Sequence, residues 1–289
     1  LASEVGAVRA RTPRYGVNLF VPAPLPVDPD AYRAYREELL PLADHYGVEV
    51  PRTPVEDDDS WAAKVDLLVS AAPPVVSFTF GLPDGATVRR LRQSGSVLAQ
   101  TVTSPEEARL AGEAGMDALV VQGPAAGGHS GTFTPQQPPA DVTLPELVRS
   151  VRAVCGLPIL AGGGIGSAAD VRAALEAGAA AVSVGTLLLL ADEAGTSATY
   201  RAALAGPDRG EPRLARAYSG RPARGLPTAF MAEHEPNAPL GYPAIHHLTT
   251  PIRRAAAAAG DAENVNLWAG TGYRSARPRP VAEILRGLV

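Results

Sequence analysis

The sequence predicts an α/β fold, a (β/α)8 TIM barrel that lacks its first strands, joined to a smaller C-terminal helical cap. Three observations carry this expectation. Short runs rich in Val, Leu and Phe alternate with longer segments of helical periodicity, the pattern of parallel strands joined by crossover helices. Six such runs are visible, too few to close a barrel of eight, and an open six-stranded version would leave two unpaired edges. The last two runs each end in a glycine-bearing turn, and paired turns after the final two strands form the recurrent phosphate site of such barrels. That count makes the visible strands the third to the eighth. An open doubly wound sheet is the competing architecture. The expected division is residues 1–195 for the barrel and 196–289 for the cap.

Leu1 to Val5 reads as the middle of a helix feeding a first strand at Tyr15 to Phe20. A helix from about Asp30 to Tyr46 follows, opened by Asp28-Pro29 and closed by Gly47. Asp57-Asp58-Asp59-Ser60 is expected to cap the next helix. Further strands are placed at Val75 to Phe80, Ser96 to Val102, Asp117 to Gln122, Leu157 to Ala161 and Ala181 to Val184. Ser104-Pro105-Glu106-Glu107 and Ser167-Ala168-Ala169-Asp170 put a cap and early acids ahead of apolar stripes, which starts helices there. A helical run is expected at Leu187 to Ala191. Residues 205–242, rich in Pro, Gly and Arg, read as an irregular cap, and helices follow from about Pro243 to Ala259 and from Val281 to Leu288.

Composition narrows the function. The 26 basic and 30 acidic side chains give a net charge of −4 and are interspersed, so there is no basic stripe to track a nucleic-acid backbone. No run of eighteen apolar residues and no signal-like start is visible, which makes a cytoplasmic location the expectation. Cys155 is the only cysteine, so an internal disulfide and a cysteine metal cluster are excluded. No metal site is expected. His246 and His247 are adjacent on a helix and point about 100° apart, and Asp57 to Asp59 reads as a solvated helix start.

The chemistry concentrates at the strand ends. Leu160-Ala161-Gly162-Gly163-Gly164-Ile165-Gly166 follows a strand and opens a helix, so its backbone N–H groups can converge on an anion. Val182-Ser183-Val184-Gly185-Thr186 repeats the arrangement one strand later. Either turn alone is as well explained by tight βα geometry; the two in succession favour phosphate. Gln122-Gly123-Pro124-Ala125-Ala126-Gly127-Gly128-His129-Ser130-Gly131 sets a histidine in a glycine-rich loop where a barrel presents its catalytic face. Such a loop lets backbone approach a flat ligand while the imidazole serves as proton acceptor or cation. Asn18, near the end of the first visible strand, presents its amide at the same mouth or stabilises a turn.

The set Gly16-Val17-Asn18-Leu19-Phe20, Ser77-Phe78-Thr79-Phe80-Gly81, Gln122 to Gly131, Ala161 to Gly166 and Gly185-Thr186 resembles the nitronate monooxygenase family, and Asn266 to Arg274 resembles its C-terminal segment. The resemblance implies FMN at the barrel mouth and O2-dependent oxidation of alkyl nitronates to carbonyl compounds plus nitrite or nitrate. It implies FMN contacts at Asn18, Gln122, Gly127, Gly128, Gly163, Gly164, Ser183, Gly185 and Thr186, with His129 catalytic. Ser130, Trp268 and Gly270 are the implied substrate-pocket residues. The implied partners are a small nitronate and O2, without nucleic acid or membrane, and a homodimer is compatible with them. Three positions depart from the pattern: the family's N-terminal Pro-Met pair has no counterpart, Ala125 stands where glutamate is common, and Thr271 where glutamine is frequent. The alternatives are an FMN-dependent enoyl-thioester reductase using NAD(P)H and a non-catalytic flavin- or phosphate-binding scaffold.

Overall fold

The computed structural model describes residues 1–23 and 25–289. Six strands of the larger sheet are parallel and hydrogen-bond in chain order: β1 (Gly16–Phe20), β2 (Val75–Thr79), β3 (Val97–Val102), β4 (Ala118–Gln122), then, beyond the two-residue β5 (Gly128–His129), β6 (Ile159–Gly162) and β7 (Ala181–Ser183). Sequential order without reversal is the winding of a barrel wall. A doubly wound sheet requires a switch point, and none occurs among the described residues. Helices α1 (Ala2–Arg9), α2 (Pro29–His45), α3 (Trp61–Ala71), α4 (Gly85–Gln93), α5 (Pro105–Glu113), α6 (Leu144–Val154) and α7 (Ala168–Glu176) precede or join these strands.

Alternation along each strand decides which side is core. Val76, Phe78, Leu98, Val102, Leu119, Val121, Ile159 and Ala161 are all buried and pack with Leu68, Leu91, Ala108, Val148 and Val171 of the covering helices, giving the main apolar core. The opposite side carries Thr79, Thr101, Gln122, Gly162 and Ser183 toward the carboxyl ends of the strands, so the polar side of the sheet is where a ligand can be met.

The sequence missed a second sheet. Residues 205–242 hold β8 (Arg213–Ala215), β9 (Ala223–Gly225) and α9 (Ala229–His234), beyond α8 (Ala198–Ala205), where an irregular stretch is expected from composition. The antiparallel order β5-β9-β8 pairs Gly128 with Arg224 and His129 with Ala223, and Gly225 bridges to Trp268. Three-residue strands are too short for alternation to reveal, and although β8 pairs with nearby β9, the pairing of β9 with β5 joins Arg224 to Gly128, far apart in the chain. This sheet positions the histidine.

Further differences are local. The strand read at Leu157 to Ala161 begins two residues later, because Pro158 offers only its carbonyl, which accepts from Leu119 N at 2.9 Å. The helix read at Leu187 to Ala191 is a single 3-10 turn, Thr186–Leu188. Ser60 does precede α3, but in a left-handed conformation (φ 55°) with no side-chain cap bond, and Asp57 turns back to accept from Asp59 N at 2.9 Å. The remaining helices, α10 (Ala244–Ala259) and α11 (Val281–Arg286), lie close to their expected spans. Tyr32, Tyr35 and Leu39 of α2 share a second core with Phe230, Ile245, Leu248 and Ile252, which fastens the cap to the barrel side of the chain. Among the described residues no helix is long and apolar enough to cross a membrane.

Candidate active site

The two glycine turns and His129 open into one cleft of about 580 Å³. That volume lies within the roughly 300–1,000 Å³ of small-molecule and cofactor sites. One wall is made by the turn after β6, where Gly163 and Gly164 hold φ of 122° and 78°, a region an L side chain avoids. A Cβ on Gly163 would also sit 2.8 Å from the Gly123 carbonyl oxygen, so the β4 and β6 turns meet backbone to backbone. The next wall is Ser183-Val184-Gly185-Thr186, and a Cβ added at Gly185 would project into open space.

Among the described residues, the backbone N–H groups of Gly163, Gly164, Ile165, Val184 and Gly185 donate to no protein acceptor. Backbone donors left unpaired inside a protein are met by water or by a ligand. Five of them lining one cleft from two adjacent turns make an anion cradle, with the start of α7 behind it. Thr186 Oγ1 accepts from Gly270 N at 3.0 Å, which ties the cradle to the C-terminal segment. Gly127 and Gly270 make the same junction from the other side: a Cβ on Gly127 would fall 2.5 Å from Gly270 N.

His129 stands across the cleft. Gln122 clasps its loop, donating from Nε2 to the His129 carbonyl at 3.0 Å and accepting from Gly131 N at 2.7 Å. The ring is surrounded by aromatics, with Trp268, Tyr242 and Phe80 centroids at 5.5, 5.8 and 6.0 Å. Its Nε2 lies 2.8 Å from Ser219 Oγ, and the Ser219 hydroxyl donates to the Arg221 carbonyl at 3.2 Å. With that hydroxyl proton committed, Nε2 carries the ring proton and Nδ1 keeps its lone pair. Burial, reinforced by the Arg221 and Arg253 charges, pushes His129 down to about 3. The imidazole is therefore held neutral near pH 7, the form that can accept a proton.

The structure gathers Gln122, Gly127, Gly128, His129, Gly163, Gly164, Ser183, Gly185, Thr186 and Trp268 around this cleft. Asn18 lies outside its lining, and its Oδ1 accepts from Ser77 Oγ and Thr79 Oγ1 at 2.9 and 3.0 Å. Ser130 is buried and lines a smaller cavity on the other side of the loop, with its N–H on the Pro222 carbonyl. Gly270 touches the cradle only through Thr186. Sequence reasoning missed Phe80, Tyr200, Ser219, Arg221 and Tyr242. Tyr200 lines the cleft and its hydroxyl donates to the Trp268 carbonyl. The Ser219-Gly220-Arg221 triplet was the available signal, since Gly220 (φ 72°) marks a turn carrying two side chains of hydrogen-bonding type.

Fold and site together define an α/β enzyme class: a parallel wall with a phosphate-sized cradle at its carboxyl edge and a half-buried neutral imidazole facing it. The chain belongs to the nitronate monooxygenase family, whose sequence model matches residues 1–289. It is 39% identical over 285 residues to the nitronate monooxygenase of Pseudomonas aeruginosa, covering 95% of this chain and 80% of that protein. It is 32% identical over 294 residues to a probable nitronate monooxygenase of Staphylococcus aureus, covering 100% and 82%. Crystal structures of a nitroalkane oxidase from Streptomyces ansochromogenes superpose with a TM-score of 0.93 at 40% identity, over 99% of this chain and 83% of that one. FabK from Thermotoga maritima shares the fold, with a TM-score of 0.74 at 23% identity over 99% and 78%.

Proposed function

We propose that this protein is an FMN-dependent nitronate monooxygenase that converts alkyl nitronates and O2 into carbonyl compounds with nitrite or nitrate, using a wall of the (β/α)8 type. The carrying observation is that five unpaired backbone donors and a neutral histidine face each other across one cleft. A phosphate fits that cradle in charge and in donor number. Gly163, Gly164, Ile165, Val184 and Gly185 would hold the FMN phosphate, and Gly127, Gly128 and Gln122 would border the ring system. FMN, when bound, supplies the redox chemistry.

The chain's own residues bind and orient. Trp268, Phe80 and Tyr242 wall the substrate side and keep water from it. A nitronate is already deprotonated at carbon, so His129 has no proton to remove from it and sets its orientation. A neutral nitroalkane carries that proton, and the lone pair on Nδ1 accepts it. The neutral state of His129 supports both statements.

The test is an absorption spectrum of the purified protein with FMN, followed anaerobically. Bleaching of the flavin by an alkyl nitronate supports the proposal. Bleaching by NADPH and not by a nitronate would instead make it an enoyl-thioester-type reductase, and failure to take up FMN would leave a scaffold.

A further inference from the structure

Two guanidinium groups in the shell around His129 have no acidic partner. Arg221 is 1% exposed, the largest fully buried side chain in the protein among the described residues. Its Nε donates to the Ser130 carbonyl at 3.4 Å, a terminal nitrogen donates to the Thr132 carbonyl, and its Cζ lies 3.9 Å from the centre of the Phe80 ring. Arg253 on α10 donates to Asn266 Oδ1 and Thr250 Oγ1 at 2.8 Å and to Thr249 Oγ1 at 3.0 Å. Among the described residues no Asp or Glu oxygen comes within 4.0 Å of either group; the Glu107 carboxylate reaches Arg221 only through Thr132, whose hydroxyl donates to Glu107 and whose carbonyl accepts from Arg221.

A buried charge held only by neutral acceptors is costly, and an arginine has no neutral form to retreat to near pH 7. Arg221 stacks on Phe80, whose ring lines the cleft, and Arg253 bonds to His246 and Asn266, two residues from Trp268. Phe80 presents its face to Arg221 and stands 6.0 Å, edge to face, from His129. The Arg221 charge is thus no farther than about 10 Å from the imidazole, with aromatic rings and no bulk water between.

We propose that Arg221 and Arg253 form a fixed positive pole that selects the anionic nitronate over its neutral nitroalkane conjugate acid, acting across the Phe80 and Trp268 wall and not by contact. The proposal rests on the nitronate reading above. It assigns the substrate's counter-charge to two residues outside the glycine loops and leaves His129 free of that task.

The experiment compares the wild-type holoenzyme with R221M, R221K and R253M at one pH near neutrality. KM is measured for a nitronate and for the nitroalkane of the same carbon skeleton, and nitrite, a small anion, is titrated calorimetrically without turnover. A unit charge about 10 Å away at an effective dielectric of about 20 is worth roughly tenfold in affinity. R221M is expected to raise the nitronate KM and the nitrite Kd about tenfold, to move the nitroalkane KM less than about twofold, and to be rescued by R221K. R253M is expected to act in the same direction. Equal losses for both substrates, or unchanged nitrite binding, overturn the proposal. If R221M fails to fold, R253M carries the same comparison, because it leaves Arg221 bonded to the Ser130 and Thr132 carbonyls. If the wild type oxidises neither substrate, the functional reading falls while the nitrite titration still decides the pole.

Discussion

Glu107, at the start of α5, is 5% exposed, and its carboxylate is the bracket of the histidine loop. Oε1 accepts from Phe133 N at 2.7 Å and Thr132 Oγ1 at 2.9 Å, and Oε2 accepts from Thr103 N and Thr103 Oγ1 at 2.5 and 2.9 Å. In E107Q the amide oxygen can serve one pair of donors, while the amide nitrogen, itself a donor, is turned against the other. Two charge-assisted bonds are lost, each worth about 1.5–3 kcal/mol, for a total of about 3–6 kcal/mol. At roughly 2–4 °C per kcal/mol for a chain of this size, the midpoint should fall by about 6–24 °C. Thermal denaturation followed by circular dichroism reads the shift, and kcat/KM at a permissive temperature reads the loosening of residues 128–134. A midpoint within 2 °C of wild type would refute the claim that this carboxylate holds the loop.

Other substitutions separate the two walls of the cleft. H129A should cut turnover of a neutral nitroalkane by about 10²–10⁴-fold while FMN stays bound, measured by oxygen uptake and the flavin spectrum; unchanged turnover would remove His129 from the chemistry. G163A places a Cβ 2.8 Å from the Gly123 carbonyl at a φ of 122°, so FMN affinity should drop at least about tenfold in a fluorescence titration, with His129 and its neighbours undisturbed. His129 and His246 are held down to about 3 and about 4, below the ordinary 6.5. The unfolded chain therefore binds more protons below about pH 6.5, so these two residues make stability fall as pH drops from there toward 3–4. Denaturant titrations between pH 7 and 5 should show that slope, and H246Q should flatten it.

Legibility followed the range of the interaction. Val75 to Thr79 and Ala118 to Gln122 were readable because a buried parallel strand announces itself in five consecutive residues. The turns at Gly163–Gly164 and Gly185 were readable because a backbone cradle is local. The surroundings of His129 were not: Ser219 approaches from 90 positions away, Trp268 reaches the cleft through a single bridge to Gly225, and β8 and β9 are three residues each. Pairing across that distance leaves no periodicity in the chain. The burial of Arg221 without a contacting carboxylate was equally invisible, since partnership is a property of neighbours in space and a Pro- and Arg-rich segment suggests solvent exposure.

In the proposed flavin site, the unpaired N–H groups of residues 163–165 and 184–185 grip the phosphate. Titrating the flavin-free protein with FMN and with riboflavin, which differ only in that phosphate, tests it directly. Two or more charge-assisted bonds should make FMN bind at least about 100-fold more tightly. Equal affinity for the two flavins would contradict it.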